Sequence, residues 1–330
     1  MKASDQRPMT AARALWYVAA GKAELRESVL AEPRAGEVMV RALYSGLSRG
    51  TERLVFEGRI PPSEYARMRL PTQEGEFSFP VKYGYAAVGV VEAGPAELKG
   101  RAVFALHPHQ DRFVLPASAA VPIPDRIPAR RAVLTANLET ALNALWDGRA
   151  GPCDRVVVVG GGLVGLLAAA LAARLPGAEV TVVDKDQGRA PLAQGLGVAF
   201  ARPEAAPREA DLVIHASASE SGLALALELA GEEATVVEAS WHGKDRIGLP
   251  LGGAFHSRRL RLVSSQVGAV APERRSRWTL RRRLEATVRL LADDRLDLLL
   301  GEEIPFAELP RHLPRLLATD AAGVGALVRY

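Results

Sequence analysis

Three glycines near the middle of the chain have the spacing of a phosphate cradle. Gly160, Gly162 and Gly165 follow four consecutive valines, Val156 to Val159, and an apolar run begins at Leu163 and Val164. The valines suit a parallel strand buried on both faces. Gly160 permits the tight turn out of that strand. Gly162 lets the backbone approach a pyrophosphate, and Gly165 lets the following helix pack close to the strand. A helix starting at Leu163 aims its unpaired N–H groups at the phosphates. About twenty residues on, Asp184 closes a second apolar strand, Val180 to Val183, where an acid accepts hydrogen bonds from ribose hydroxyls. Strand, turn, helix, strand and acid together predict a dinucleotide-binding βαβ unit. The Asp184 carboxylate repels a 2′-phosphate, which favours NAD. Lys185 beside it keeps NADP as the lesser alternative.

The elements around this unit fall into two patterns. Before it, short apolar or alternating runs are bounded by Gly and Pro: Ala14 to Val18, Glu37 to Arg41, Val88 to Val91 and Ala102 to Leu106. These read as strands, closed by the prolines at 116, 122, 124 and 128. From Ala129 onward helices alternate with apolar strands: a helix from Ala132 to Trp146, strands at Asp211 to His215, Thr235 to Glu238 and Leu260 to Ser264, and a helix from Ser221 to Ala230. Alternation of this kind implies a doubly wound parallel sheet. The tail reads as a helix over 280–291, a strand near 298–304, a helical stretch over 308–317 and a last strand, Ala326 to Tyr330, that pairs back into the first domain.

Composition narrows the class. The chain has 330 residues, 48 % hydrophobic, with a net charge of +4, enough for about two domains. One cysteine, Cys153, excludes an internal disulfide and a four-cysteine zinc site. The segment Met1 to Thr10 is polar and lacks a signal-peptide core. The longest apolar stretch, 163–173, is too short to span a bilayer. A cytoplasmic protein without membrane or nucleic-acid partners is expected. Arginines 274, 275, 277, 281, 282 and 283 surround Trp278. They read as the solvated face of a helix, with contact to an anionic substrate or to RNA as the alternative.

Three stretches resemble the medium-chain dehydrogenase/reductase superfamily across nearly the whole chain. Gly36 to Arg49 is similar to the segment leading to that family's catalytic cysteine, Tyr83-Gly84-Tyr85-Ala86 to its Gly-His-Glu stretch, and Thr140 to Leu145 to the helix entering its nucleotide-binding strand. The resemblance implies an α/β chain with a GroES-like β-rich catalytic domain (1–128 and 272–330) and a Rossmann domain (129–271), acting as a homodimer through the edge strand 260–264. It also implies NAD(H)-dependent interconversion of an alcohol and a carbonyl, in a cleft between the domains. Ser45 to Pro61 is locally similar to the dehydrogenases acting on the 3-hydroxyethyl group of bacteriochlorophyllide a, which implies a small-molecule secondary alcohol.

The zinc positions of that family are altered. Ser48 stands for the cysteine, Tyr85 for the histidine and Ala86 for the following glutamate. The third ligand falls among Ala136, Asn137 and Glu139. Serine and tyrosine are not usual zinc ligands, so no metal is expected there and a side chain must handle the proton. Tyr85 either donates to a developing alkoxide or packs in the metal's volume. Glu52 relays protons, or pairs at the surface beside Arg53. His107 and His109 form a relay, an unorthodox metal site with Glu52, or a plain loop. Arg49 reaches the pyrophosphate, and His215 and His242, at strand ends, contact the cofactor. Two rival functions stand: an NADPH-dependent quinone or enone reductase, and a nucleotide- or RNA-binding protein without turnover.

Overall fold

The computed structural model describes residues 9–330, so most of the polar leader lies outside the described residues. Two compact units divide the chain, one of residues up to 135 with 300–330 and the other of 136–299.

The first unit is β-rich. A sheet of seven strands runs in the order Glu302–Pro305, Ala326–Arg329, Glu37–Leu47, Ala87–Ala93, Ala102–Ala105 and Val121–Pro122, with Arg112–Pro116 also on Glu37–Leu47. The terminal strand pairs antiparallel with Glu37–Leu47, Val328 opposite Ser45, as its sequence predicts. Val38, Val40, Val91, Val103 and Phe113 form a core on this sheet. A second, four-stranded sheet carries Met9–Ala19. Alternation along that strand turns Leu15 and Tyr17 fully inward.

The second unit holds six parallel strands in the order Ala199–Ala201, Glu179–Val183, Arg155–Val159, Ala210–His215, Ala230–Glu238 and Arg261–Ser264. This is the doubly wound arrangement, with its topological switch beside the valine strand. Val156 to Val159 are all buried, so β-branched residues fill both faces. Arg261–Ser264 is an edge strand and Leu262 on it is exposed.

Two expectations shift. Residues 294–299 form helical turns, and the strand begins only at Glu302. Leu296, Leu299 and Leu300 are buried at helical spacing, so the apolar run belongs to a helix face. The helix Leu280–Leu290, which the resemblance assigns to the first domain, packs within the second unit.

That helix also corrects the reading of its arginines as a solvated face. Arg282 and Arg274 do cover the faces of Trp278 and Trp146 at the surface. Arg283, however, is 1 % exposed and bonds Glu139 at 2.9 Å, Asn143, and the carbonyls of Val267 and Ala269. Burial pushes the Glu139 carboxyl up while Arg283 pulls it down, with a net rise. Removing one partner of a buried pair leaves the other desolvated and uncompensated. Arg283→Ala therefore lowers unfolding free energy by about 3–5 kcal/mol, read by urea denaturation; a loss below ~1 kcal/mol would contradict this account of the pair.

Candidate active site

The first unit assembles a buried polar chain. Ser48 precedes the helix Arg49–Phe56, and Glu52 in its first turn reaches back so that Oε1 accepts the Ser48 N–H at 2.7 Å. This resembles a capping box displaced by one residue. Glu52 Oε2 accepts from the Tyr17 hydroxyl at 2.8 Å and meets His109 Nε2 at 2.9 Å. His109 Nδ1 lies 2.7 Å from Ser45 Oγ, and Ser45 Oγ lies 2.9 Å from the Tyr330 hydroxyl. One direction satisfies every member: the carboxylate only accepts, so His109 Nε2–H donates to it, Ser45 donates to Nδ1 and Tyr330 donates to Ser45. Glu52 and the His109 side chain are both fully buried. Glu52 is thus no surface partner of Arg53, which reaches Thr319 instead.

Backbone packing holds His109 in place. The 107–111 loop is stitched to neighbouring strands, with Leu15 N–H donating to the His109 carbonyl at 2.9 Å and Ala42 N–H to that of Asp111 at 2.9 Å. A side chain on Gly84 would meet His109 Cδ2 at 2.8 Å, and Gly84 has φ +127°. The glycine of Tyr83-Gly84-Tyr85 thus makes room for the imidazole.

Tyr85 donates to Ser48 Oγ in a short hydrogen bond. Burial pushes its hydroxyl up to about 12, hydrogen bonds with Ser48 and Thr51 act against that, and the Glu52 charge adds to it. At neutral pH the phenol keeps its proton. The two residues that the resemblance sets at zinc positions therefore bond each other. Glu139 is taken by Arg283 in the second unit. This donor set does not fit a catalytic zinc.

His107 does not join His109. Its ring stacks on Phe113 at 3.9 Å, and its Nδ1 donates to the Pro108 carbonyl at 3.0 Å. Burial drives it down to about 3, so it stays neutral and is not placed to relay protons. The Arg49 guanidinium donates to the carbonyls of Ala321, Ala322 and Gly323. Tyr17 and Tyr330 join the polar chain from outside the motif stretches, and Ser45 from inside one. An inward tyrosine on an alternating strand needs a partner for its hydroxyl, and Tyr17 carried that signal; Ser45 and Tyr330 carried none.

In the second unit the glycine turn has the geometry its spacing predicts. Gly160 has φ +112°, and a Cβ there would meet Ser217 N at 2.6 Å. A Cβ on Gly165 would sit 1.9 Å from the Gly160 carbonyl oxygen, whereas one on Gly162 meets nothing within 4 Å. Gly162 caps the helix Leu163–Ala172 without a side-chain bond. The open position and the uncapped helix end are what a pyrophosphate fits. Asp184 closes the turn: Oδ2 accepts the Gly161 N–H at 2.6 Å and Oδ1 that of Asp186 at 2.8 Å. Lys185 beside it is exposed. His215 is fully buried and bonded to Glu238 and Ser217. Among the described residues, His215, Glu238 and His242 form the cluster whose ligand atoms all lie within 4.8 Å of one another.

Solved structures share this architecture from end to end. L-idonate 5-dehydrogenase of Escherichia coli K-12 aligns with TM-score 0.80 at 14 % identity, over 98 % of this chain and 99 % of that one. The chain has the fold of the medium-chain dehydrogenases. A protein of Sinorhizobium meliloti 1021 described as a zinc-binding dehydrogenase, bound to NADP, aligns with this medium-chain fold at TM-score 0.78 and 18 % identity, over 97 % and 100 % of the two chains. An alcohol dehydrogenase of Escherichia coli CFT073 complexed with NADH aligns at TM-score 0.75 and 16 % identity, over 97 % and 99 %. A family profile described as an FAD binding domain matches residues 155–283, the part of the medium-chain fold that begins with the valine strand and glycine turn. No curated protein matches. Among the described residues no helix is long and apolar enough to cross a membrane.

Proposed function

We propose that the chain is an NAD(H)-dependent oxidoreductase that interconverts a small secondary alcohol and its ketone, with the Ser48–Tyr85 hydroxyl pair in place of a catalytic metal. The observation that carries this reading is the Tyr85 bond to Ser48 Oγ at two positions where the fold's zinc enzymes place ligands. The nicotinamide, when bound, exchanges a hydride with the carbinol carbon. This chain's residues handle the proton. Tyr85 holds its proton and donates to Ser48 Oγ, which leaves the Ser48 hydroxyl polarised to donate to a carbonyl oxygen. Glu52, fixed by Tyr17, His109 and the Ser48 amide, orients the Ser48 turn and keeps the phenol neutral. We further infer a homodimer that pairs through the exposed edge strand Arg261–Ser264.

NADP is the second reading, supported by Lys185, Arg189 and Arg202 around Asp184. Arg202 donates to the Lys185 carbonyl, and Arg189 lies against Gly161. Calorimetric titration separates the two. NADH binds tighter than NADPH to the wild-type chain, and Asp184→Asn moves the ratio toward NADPH by about tenfold, ~1.4 kcal/mol. Tighter NADPH binding by the wild type overturns the NAD assignment. Absence of binding by either overturns the reaction class.

A further inference from the structure

The second unit carries a polar cluster that the proposed reaction does not use. His215 and Glu238 end adjacent parallel strands in register, so their side chains leave the sheet side by side. The chain then turns, and His242 returns to the same carboxylate. Glu238 Oε2 lies 2.7 Å from His215 Nδ1 and 3.3 Å from His242 Nε2. The two imidazoles are nearly parallel, at 13°. The other carboxylate oxygen, Oε1, accepts the Ser240 N–H at 2.7 Å, so Oε2 is the one that faces the rings.

The surroundings are those of a held ligand set. His215 Nε2 is bonded at 2.6 Å to Ser217 Oγ, which is bonded at 2.8 Å to Ser219 Oγ, which accepts the Gly222 N–H at 3.1 Å. A metal-bound histidine is oriented by such a partner on its second nitrogen. Gly222 closes over this chain, since a Cβ there would lie 2.2 Å from Ser217 Oγ and 3.0 Å from His215 Nε2. The same closure argues against a hydrolytic relay through Ser217, His215 and Glu238: the serine oxygen is roofed and already shared between two partners. His242 and Glu238 retain 16 % and 15 % side-chain exposure, which gives an ion a route in.

We propose that His215 Nδ1, Glu238 Oε2 and His242 Nε2 bind one divalent transition-metal ion of the zinc class, with a fourth position open to water or an anionic ligand. Two histidines and a carboxylate are a zinc donor set, and bond lengths of about 2.0–2.2 Å set tetrahedral ligand atoms roughly 3.4 Å apart, so the 2.7 Å His215–Glu238 contact opens, the 3.3 Å His242–Glu238 contact stays, and the rings close on atoms already within 4.8 Å of one another. The site stands independently of the reaction proposed above.

Cobalt substitution tests it. The full-length chain, stripped with chelator and titrated with Co²⁺, takes up one ion and develops the visible absorption of a four- or five-coordinate centre, which Zn²⁺ abolishes by displacement. Glu238→Gln and His242→Ala each weaken binding roughly tenfold or more, while His312→Ala at the exposed 308–312 pair leaves it unchanged. His242 is partly exposed, so His242→Ala retains the wild-type circular dichroism and remains informative where Glu238→Gln does not fold. Failure to bind Co²⁺, or equal binding by a folded His242→Ala chain, overturns the proposal.

Discussion

Replacing Tyr85 with phenylalanine lowers kcat for ketone reduction by about 10²–10⁴-fold, the span of a positioned proton donor. NADH affinity stays as in the wild type, because the glycine turn belongs to the other unit. The sign of the pH dependence follows from the phenol's environment. Its ordinary value lies near 10, and burial pushes it up to about 12. Below that value the neutral donor form prevails, so wild-type ketone reduction is level between about pH 6 and pH 10 as far as this group is concerned. Alcohol oxidation needs the proton removed and rises with pH across the same interval. A purely packing role gives a different outcome: Tyr85→Phe retains kcat, and only thermal stability falls. An oxidation profile that plateaus near pH 7 would also contradict the assignment, since it would require a base other than this hydroxyl pair.

Gly165→Ala loses dinucleotide binding and stability together, whereas Gly162→Ala loses binding alone. At position 165 the new methyl lies 1.9 Å from the Gly160 carbonyl oxygen and 3.3 Å from Val158 Cγ1. The helix must move away from the strand, at about 1–3 kcal/mol, and its N-terminus no longer faces the space proposed for the phosphates. At position 162 a methyl meets nothing within 4 Å, so the unliganded fold is untouched. On the proposed reading that space takes the pyrophosphate, and filling it weakens NADH binding by about 100-fold, ~2.7 kcal/mol. Thermal melts and NADH titration of both variants check the pair. Wild-type affinity in Gly162→Ala would show that the glycine spacing serves packing rather than a cofactor.

The fold was legible where periodicity and turn chemistry agree. Four valines on a doubly buried strand, glycines with forced geometry and an acid at the next strand's end are each dictated locally. Val156 to Val159 and Gly160 to Gly165 are therefore legible as a strand and a tight turn into a helix without tertiary information. The active site was legible only in part. Ser48 and Tyr85 were found through their places in a resembling motif, but their mutual hydrogen bond depends on how a helix start and a strand approach each other. Glu52 followed by Arg53 looks like a surface pair in sequence. It is buried because Tyr17 and His109, from distant segments, converge on it. His107 and His109 differ by two positions and face different neighbours, Phe113 in one case and Glu52 in the other, which no spacing rule separates in a loop. Arg283 sat in a run of six arginines and alone turned inward, because Glu139 and Asn143 on a helix from elsewhere in the chain await it.

Isotope transfer separates direct hydride delivery from exchange with solvent. The wild-type chain is incubated with a panel of small ketones and NADH carrying deuterium at the transferable C4 position, and the alcohols formed are analysed by mass spectrometry and NMR. One deuterium is expected on the carbinol carbon of the accepted ketone and none drawn from solvent, because the hydride passes directly and only the hydroxyl proton travels through Ser48 and Tyr85. Carbinol hydrogen drawn from solvent, or NADH binding with no label delivered to any ketone of the panel, would contradict the proposed hydride transfer.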